Sequence, residues 1–240
     1  MSNSINDIEN SKCLLVFGYN CADSHPIVAR RVLKARENGA KIIVCDPRRI
    51  ETARIADQHL QLKNGSNMAL VNAFGYVLLE EELYDKNYVA RFTEGLDAYR
   101  DTVKDYAPEN VEHLTGIPAR DVRQAMRTFA AAPSATVMWG MGVTQFGQAV
   151  DVVKGLSSLA LLTGNLGRPA VGVGPVRGQN NVQARVIWAF CQYVPGVSGR
   201  YGRRSGRNVR HCLGNRLSGL WTKRLERVSP KCLTLRWKVR

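Results

Sequence analysis

The sequence predicts an α/β fold built on a doubly wound parallel sheet. Two short apolar runs, CLLVFG at 13–18 and KIIVCD at 41–46, flank an amphipathic stretch, PIVARRVLKAREN. Strand, helix and strand in about 33 residues have the length of a βαβ unit. A third apolar run, ATVMWG at 135–140, precedes a long periodic segment, AVDVVKGLSSLALLTGN. Strands that read as continuous apolar runs are those covered by helices on both faces.

The elements follow in order. CLLVFG is a buried strand ended by Gly18. The helix at 26–38 has Pro26 in its first turn and Gly39 at its C-terminal cap, with Ile27, Val28, Val32, Leu33 and Ala35 expected on its buried face. KIIVCD is the second strand, and HLQL at 59–62 a short third one. A helix starts near Asn67, burying Met68, Leu70, Val71, Phe74, Val77 and Leu78. Shorter amphipathic helices fill 85–132, including ARDVRQAMRTFAAA after Pro118. ATVMWG, the helix at 149–165 and a Gly-rich loop, GRPAVGVGPVRGQNN, complete the pattern.

A chain of 240 residues has room for one large domain or two small ones with a real core. No apolar run approaches the roughly 18–20 residues of a membrane span, so no membrane insertion is expected. The polar start MSNSINDIEN is unlike a signal peptide. The six cysteines stand singly, without CxxC spacing, and read as reduced thiols of a cytoplasmic protein. They supply no metal-ligand set, and His25, His59 and His113 show no ligand spacing either. His59 and His113 read as structural or surface groups.

The formal net charge of +14 is unevenly placed. Residues 185–240 hold fourteen Lys/Arg against one acid, Glu226, while the first 184 residues hold twenty against nineteen. Such a tail ordinarily suggests a polyanion partner. One reading is therefore a non-enzymatic phosphate- or nucleic-acid-binding module that uses the basic tail.

Open α/β sheets bind ligands beyond the carboxyl ends of their strands, and the punctuation there is unusual. After the first strand, GYNCADSHP offers Gly18 for close backbone approach and Asn20, Asp23 and Ser24 as ligand contacts or helix caps. After the second, DPRR puts Asp46 where an acid often meets a ribose or base, with Arg48 suited to phosphate; a plain turn is the alternative. KNGSN opens a helix with free amides. WGMGVTQF ends a strand with two glycines and two polar groups, and VRGQNN gathers Arg177, Gln179, Asn180 and Asn181 in one loop. Arg177 suits a small carboxylate, or is a solvated loop residue. The loop after the first strand is not GxGxxG, so an ordinary NAD enzyme is disfavoured.

Taken in order, FGYNCADSHPIVA, GAKIIVCDPRRIETARIADQHLQLKNGSN, WGMGVTQF, LTGNLGRP and GVGPVRGQNNVQ resemble the molybdopterin-dependent formate dehydrogenases. The resemblance covers nearly all of residues 1–184. RGQNNVQ after TGNLG distinguishes this branch from nitrate and sulfoxide reductases of the same superfamily. It implies a Rossmann-like sheet with inserted helices, and a partial domain over 1–184 binding one of two molybdopterin guanine dinucleotides with Mo or W. By residue match, Gly18, Asn20 and Asp23 belong to a cofactor loop, and Asp46, Pro47 and Arg48 to the guanosine segment. Gly65 and Ser66 match a further cofactor turn; Gly140, Met141 and Gln145 match another. Arg177 matches the active-site arginine that orients formate, with Gln179 its cofactor-binding neighbour.

The resemblance also implies absences. The family's 4Fe–4S domain, its Cys or selenocysteine metal ligand and its C-terminal cofactor domain have no counterpart here. The expectation is a central fragment of a larger subunit, inactive alone, whose complete form takes formate and electron-transfer partner subunits and no specific nucleic acid.

After NNVQ the family continuation is Gly-Ala-Cys-Asp-Met-Gly, a Leu-Pro step and Tyr-Pro-Gly-Tyr, whereas this chain reads ARVIWAFCQYVPGVSGRYGRRSG. Back-translated and read one frame over, RVIWAFCQ can encode Cys-Asp-Met-Gly, a branched residue, Leu and Pro. After one further shift, QYVPGVSGRYGRRSG can encode Asn-Thr-Tyr-Pro-Gly-Tyr and an acidic run. Two single-base losses, near Ala184–Arg185 and near Gln192, account for both. The tail over 185–240 is then out of frame, its charge carries no function, and it is expected to be disordered or arbitrarily structured.

Overall fold

No side chain of the first strand, β1 (Cys13–Phe17), meets water, so the strand requires cover on both faces. The computed structural model, which describes residues 2–176 and the backbone of Arg236–Trp237, supplies that cover. A 3-10 turn at Ile5–Asn10 leads into β1. There follow α1 (Cys21–Ser24), α2 (Pro26–Glu37), β2 (Lys41–Cys45), α3 (Glu51–Arg54), β3 (Gln58–Leu60) and α4 (Asn67–Glu80). A helical stretch then runs through α5 (Lys86–Phe92), β4 (Thr93–Glu94), α6 (Leu96–Val103), α7 (Pro108–Thr115) and α8 (Ala119–Ala131). β5 (Ala135–Trp139), α9 (Met141–Thr144), α10 (Ala149–Leu162) and β6 (Gly172–Pro175) complete the sheet, and β7 (Arg236–Trp237) pairs antiparallel with β4.

The main sheet has the order β3-β2-β1-β5-β6, and every pairing within it is parallel. This is the doubly wound arrangement the apolar runs predict. Alternation along each strand divides the core in two. Cys13, Leu15 and Phe17 join Ile43, Val137, Phe74, Phe129 and Leu159 on one face, while Leu14 and Val16 join Val44, Met138, Val28 and Val32 on the other. Across the first face α4 lies against α10, at a distance set by Gly155: a Cβ there would stand 2.5 Å from Val71 Cγ1.

Four details depart from the sequence reading. Ile27 is 72% exposed and Leu33 45% exposed, because α2 buries only the stripe Val28, Val32 and Ala35. At 100° per residue both lie more than a quarter turn from the centre of that stripe. The third strand is Gln58–Leu60, one residue ahead of HLQL, and Met68 is only partly buried. The Gly-rich loop contains a strand: Gly172–Pro175 pairs with Thr136–Trp139. Gly and Pro hide strand propensity, but an edge strand tolerates a proline without an N–H. The free side of β6 is met by the N-terminal segment, where Ser2 N donates to the Val173 carbonyl at 2.9 Å.

The described residues fall in one compact unit. Arg177, Gln179 and all side chains of the tail at 185–240 lie outside the described residues. Among the described residues no helix is long and apolar enough to cross a membrane.

Candidate functional site

From β1 the chain winds outward to β2 and β3, and later returns on the other side of β1 as β5 and β6. The crevice of such a sheet lies where the winding reverses, beyond the carboxyl ends of β1 and β5. The loops leaving these two strands meet there, backbone against backbone. Gly142 N donates to the Gly18 carbonyl at 3.0 Å. A Cβ on Gly18 would stand 2.8 Å from the Gly142 carbonyl carbon, and one on Gly142 would stand 2.7 Å from the Gly18 oxygen. Gly18 also has φ +54°, a left-handed conformation suited to glycine. Gly140 admits the Tyr19 ring, whose Cδ2 lies 2.8 Å from where its Cβ would be.

Two further loops join this edge. Asn67, nearly buried at the start of α4, donates through Nδ2 to the Gly142 carbonyl at 3.3 Å. The turn before it, with Gly65 at φ +87° and Ser66 bonded through Oγ to the Lys63 carbonyl at 2.6 Å, is thereby tied to the β5 loop. Gly18 N donates to the Cys45 carbonyl at 2.8 Å, joining the β1 loop to the end of β2. Gly18, Gly65, Ser66 and Gly140 therefore belong to one connected edge. Met141 opens α9 and Gln145 is its C-cap; Met141 is 52% exposed and its sulfur accepts from Gln145 Nε2 at 3.5 Å.

The capping alternative for the β1 loop fails. Neither α1 nor α2 has a side-chain cap, and Asn20 Nδ2 instead donates to Asp23 Oδ2 at 2.5 Å. Asn20 Oδ1 and the Tyr19 hydroxyl are buried without a partner among the described residues. Such groups carry a desolvation cost unless a ligand or neighbouring segment meets them.

The DPRR segment forms a held turn. Asp46 is buried, and its Oδ1 accepts from Arg48 N at 2.8 Å. The Asp46 carbonyl accepts from His59 Nε2 at 2.9 Å, and the Pro47 carbonyl from Gln61 Nε2 at 3.0 Å. Among the described residues Asp46 Oδ2 accepts no hydrogen bond, so the carboxylate keeps an acceptor for an N–H or O–H donor. The Arg48 side chain is exposed beside it.

The buried thiols of the sheet and its loops are inert. Burial pushes Cys45 well above the usual thiol range, and the Asp46 charge adds to the shift. Burial also raises Cys21, opposed by its contact with Thr52 Oγ1 at 3.0 Å, and pushes Cys13 up to about 12. All three are free and protonated, as expected for structural cysteines. Among the described residues no cluster of His, Cys, Asp or Glu could hold a metal ion.

Sequence reasoning passed over Gly142, Asn67, His59 and Gln61 as individual contributors. Gly142 is the second glycine of GMG, and its tight approach appears only once the strands are adjacent. His59 and Gln61 did carry a signal: at i and i+2 in extended chain they share one face. His25, the first histidine, lies beside Tyr19 with ring centroids 5.6 Å apart and planes tilted by 55°.

The fold and this edge define a doubly wound α/β protein whose glycine-rich loops converge at the carboxyl ends of β1 and β5. The sequence pattern of the molybdopterin oxidoreductase family matches residues 1–217, and the chain belongs to that family, whose cofactor is a molybdopterin. It is 64% identical over 183 residues to formate dehydrogenase H of Escherichia coli K12, covering 76% of this chain and 26% of that protein. It is 45% identical over 183 residues to F420-dependent formate dehydrogenase 2 subunit alpha of Methanococcus maripaludis, covering 76% and 27%. Among solved structures it resembles acetylene hydratase from Pelobacter acetylenicus, with TM-score 0.62 and 29% identity over 64% of this chain and 21% of that one. The chain thus spans about a quarter of the length of the curated relatives it matches. The basic-tail alternative gains no support from these comparisons.

Proposed function

We propose that this chain is the central part of a formate dehydrogenase catalytic subunit, and that its crevice holds one molybdopterin guanine dinucleotide. The observation that carries the activity is the 64% identity to formate dehydrogenase H. The cofactor reading is supported by the edge itself. The close packing of Gly18, Gly140 and Gly142 brings the β1 and β5 loops together at the carboxyl ends of their strands, and the unpartnered Asn20 Oδ1 beside them is an acceptor without a donor among the described residues. Asp46 offers its free carboxylate oxygen to the N–H donors of a guanine edge, and Arg48 offers its guanidinium to phosphate. Gly65, Ser66, Met141 and Gln145 complete the ligand's surroundings, with Asp23 fixing the Asn20 side chain.

When bound, the metal-bearing cofactor supplies the redox chemistry that takes formate to carbon dioxide. This chain's residues bind and orient. Arg177 pairs with the formate carboxylate, and Gln179 lies beside it in sequence. Both roles rest on the family resemblance, since Arg177 and Gln179 lie outside the described residues. The complete subunit carries Mo or W, passes electrons to partner subunits and works in the cytoplasm; the fragment alone does not turn over formate.

We infer further that residues 185–240 are read out of frame. The relatives' 183 aligned residues match, within one, the length preceding Arg185. The family pattern reaches Leu217 and so crosses that junction, an extent the frame reading does not account for. Sequencing the locus across codons 184–192 tests the point: a family-like sequence must emerge in the shifted frames. In a complete subunit with the frame restored, formate-dependent dye reduction is expected, and Arg177→Ala should lower it by about three orders of magnitude. Unchanged turnover in that variant would remove Arg177 from its role.

A further inference from the structure

The turn that presents Asp46 is not self-supporting, and the residues that support it come from another strand. Asp46 and Pro47 each have a backbone carbonyl directed at β3 or its extension. The acceptors are taken one each by His59 Nε2, at 2.9 Å, and Gln61 Nε2, at 3.0 Å. A carbonyl only accepts, so His59 must carry its proton on Nε2. β2 and β3 are in parallel register, with Val44 opposite His59 and Cys45 opposite Leu60. Residues 59 and 61 are two apart in the chain, with the β3 residue Leu60 between them, and form two rungs under the Asp46–Pro47 peptide.

The Asp46 side chain is meanwhile tied at Oδ1 by Arg48 N. With both carbonyls and one carboxylate oxygen occupied, the free acceptor, Oδ2, has a fixed place. Each carboxylate oxygen has two lone-pair sites, so Oδ2 together with the remaining site on Oδ1 can accept the two N–H donors that guanine offers along one edge, whereas hypoxanthine offers only one.

We propose that His59 and Gln61 are positioning residues that set the Asp46 carboxylate and thereby the base specificity of the crevice. This rests on the reading of Asp46 as the base acceptor given above. His59 touches no ligand in this account; it acts through the Asp46 carbonyl. Phenylalanine keeps the ring and loses the donor, whereas glutamine carries an N–H at the same reach.

The test compares GDP with inosine diphosphate as probes, titrated calorimetrically into the full chain and into His59→Phe, His59→Gln and Gln61→Ala, each checked for folding by its thermal midpoint. Wild type should prefer GDP by about tenfold, the worth of one well-placed hydrogen bond to a charged acceptor. His59→Phe should lose most of that preference while still binding both probes, and His59→Gln should keep it within about twofold. Loss of folding would weaken both probes alike and leave no preference to read, so Gln61→Ala, at an exposed rung, provides the second arm. It should reduce the preference by about threefold. An undiminished preference in both His59→Phe and Gln61→Ala overturns the positioning role and leaves the Asp46 reading intact. A wild-type chain with no preference for GDP overturns the Asp46 reading and the positioning role with it.

Discussion

Gly18 and Tyr99 illustrate two ways in which a single residue here is constrained. Gly18 has φ +54° and would drive a Cβ to 2.8 Å from the backbone of Gly142, so Gly18→Ala requires one of two loops to move. We expect it to lower stability by about 2 kcal/mol and to weaken nucleotide binding, measured by urea unfolding and by titration. Tyr99 is buried with its hydroxyl unpartnered among the described residues, and that oxygen lies over Gly75. Tyr99→Phe removes an unsatisfied polar group and should leave stability unchanged or raise it by up to about 1 kcal/mol. A clear loss would mean that the hydroxyl has a partner. Both residues carry a visible letter in the sequence, but only Gly18 carried a legible reason, since it ends a strand. Tyr99 reads as any aromatic on an amphipathic helix, and its unmet hydroxyl is a property of packing.

Among the elements, the helical layer over one face depends on a charged clamp. Arg123 on α8 bonds Glu80 at 2.6 Å and Glu81 at 3.0 Å, both at the end of α4, and Glu109 on α7 at 2.9 Å, while Arg127 bonds Glu81 at 2.7 Å. The hydrogen bond from Arg127, then that from Arg123, holds the Glu81 carboxyl below its ordinary range against the opposing effect of burial. Arg123 does the same for Glu109. Carboxyls with depressed values stabilise the fold above the ordinary carboxylate range and lose that contribution as pH falls through the lowered values. Arg123→Ala should therefore cost about 1 kcal/mol at neutral pH and much less once the pH has fallen below the lowered carboxyl values, read from urea midpoints along an acid titration. Equal losses at both ends of that titration would argue that packing of the arginine stem matters more than its charge.

The same scale marks how far the sequence could be read. β1, β2, β5, α2, α4, α8 and α10 follow from apolar period and boundary residues, because burial on one or both faces leaves a repeating trace. β6 left no such trace: its GVGP reads as loop, and its strand character comes from β5 beside it and from Ser2 on its other side. The exposed Ile27 and Leu33 erred in the opposite direction, since apolar letters near a stripe widened it beyond the surface that α2 covers.

For the molecule as a whole, the glycine loops, the Asp46 turn and the start of α4 converge because the sheet reverses its winding at β1. The loops were legible one by one as motifs, and their order along the chain carried the family resemblance. Their joining through Gly142 required the strand order. Around the same edge Met141, Phe146 and Val150 are exposed, Val150 by 63%. Exposed apolar side chains of this size are expected to promote self-association at high concentration. Val150→Lys should reduce light scattering of concentrated samples severalfold without altering the thermal midpoint, and unchanged scattering would assign self-association to another surface.

The measurement that bears most directly on the central claim is calorimetric titration of the chain with GDP, repeated on Asp46→Ala. The wild-type chain should bind GDP saturably, and removing the carboxylate should cost at least about tenfold in affinity with the fold intact. Equal affinity in the two proteins would contradict the assignment of this crevice to a guanine nucleotide cofactor.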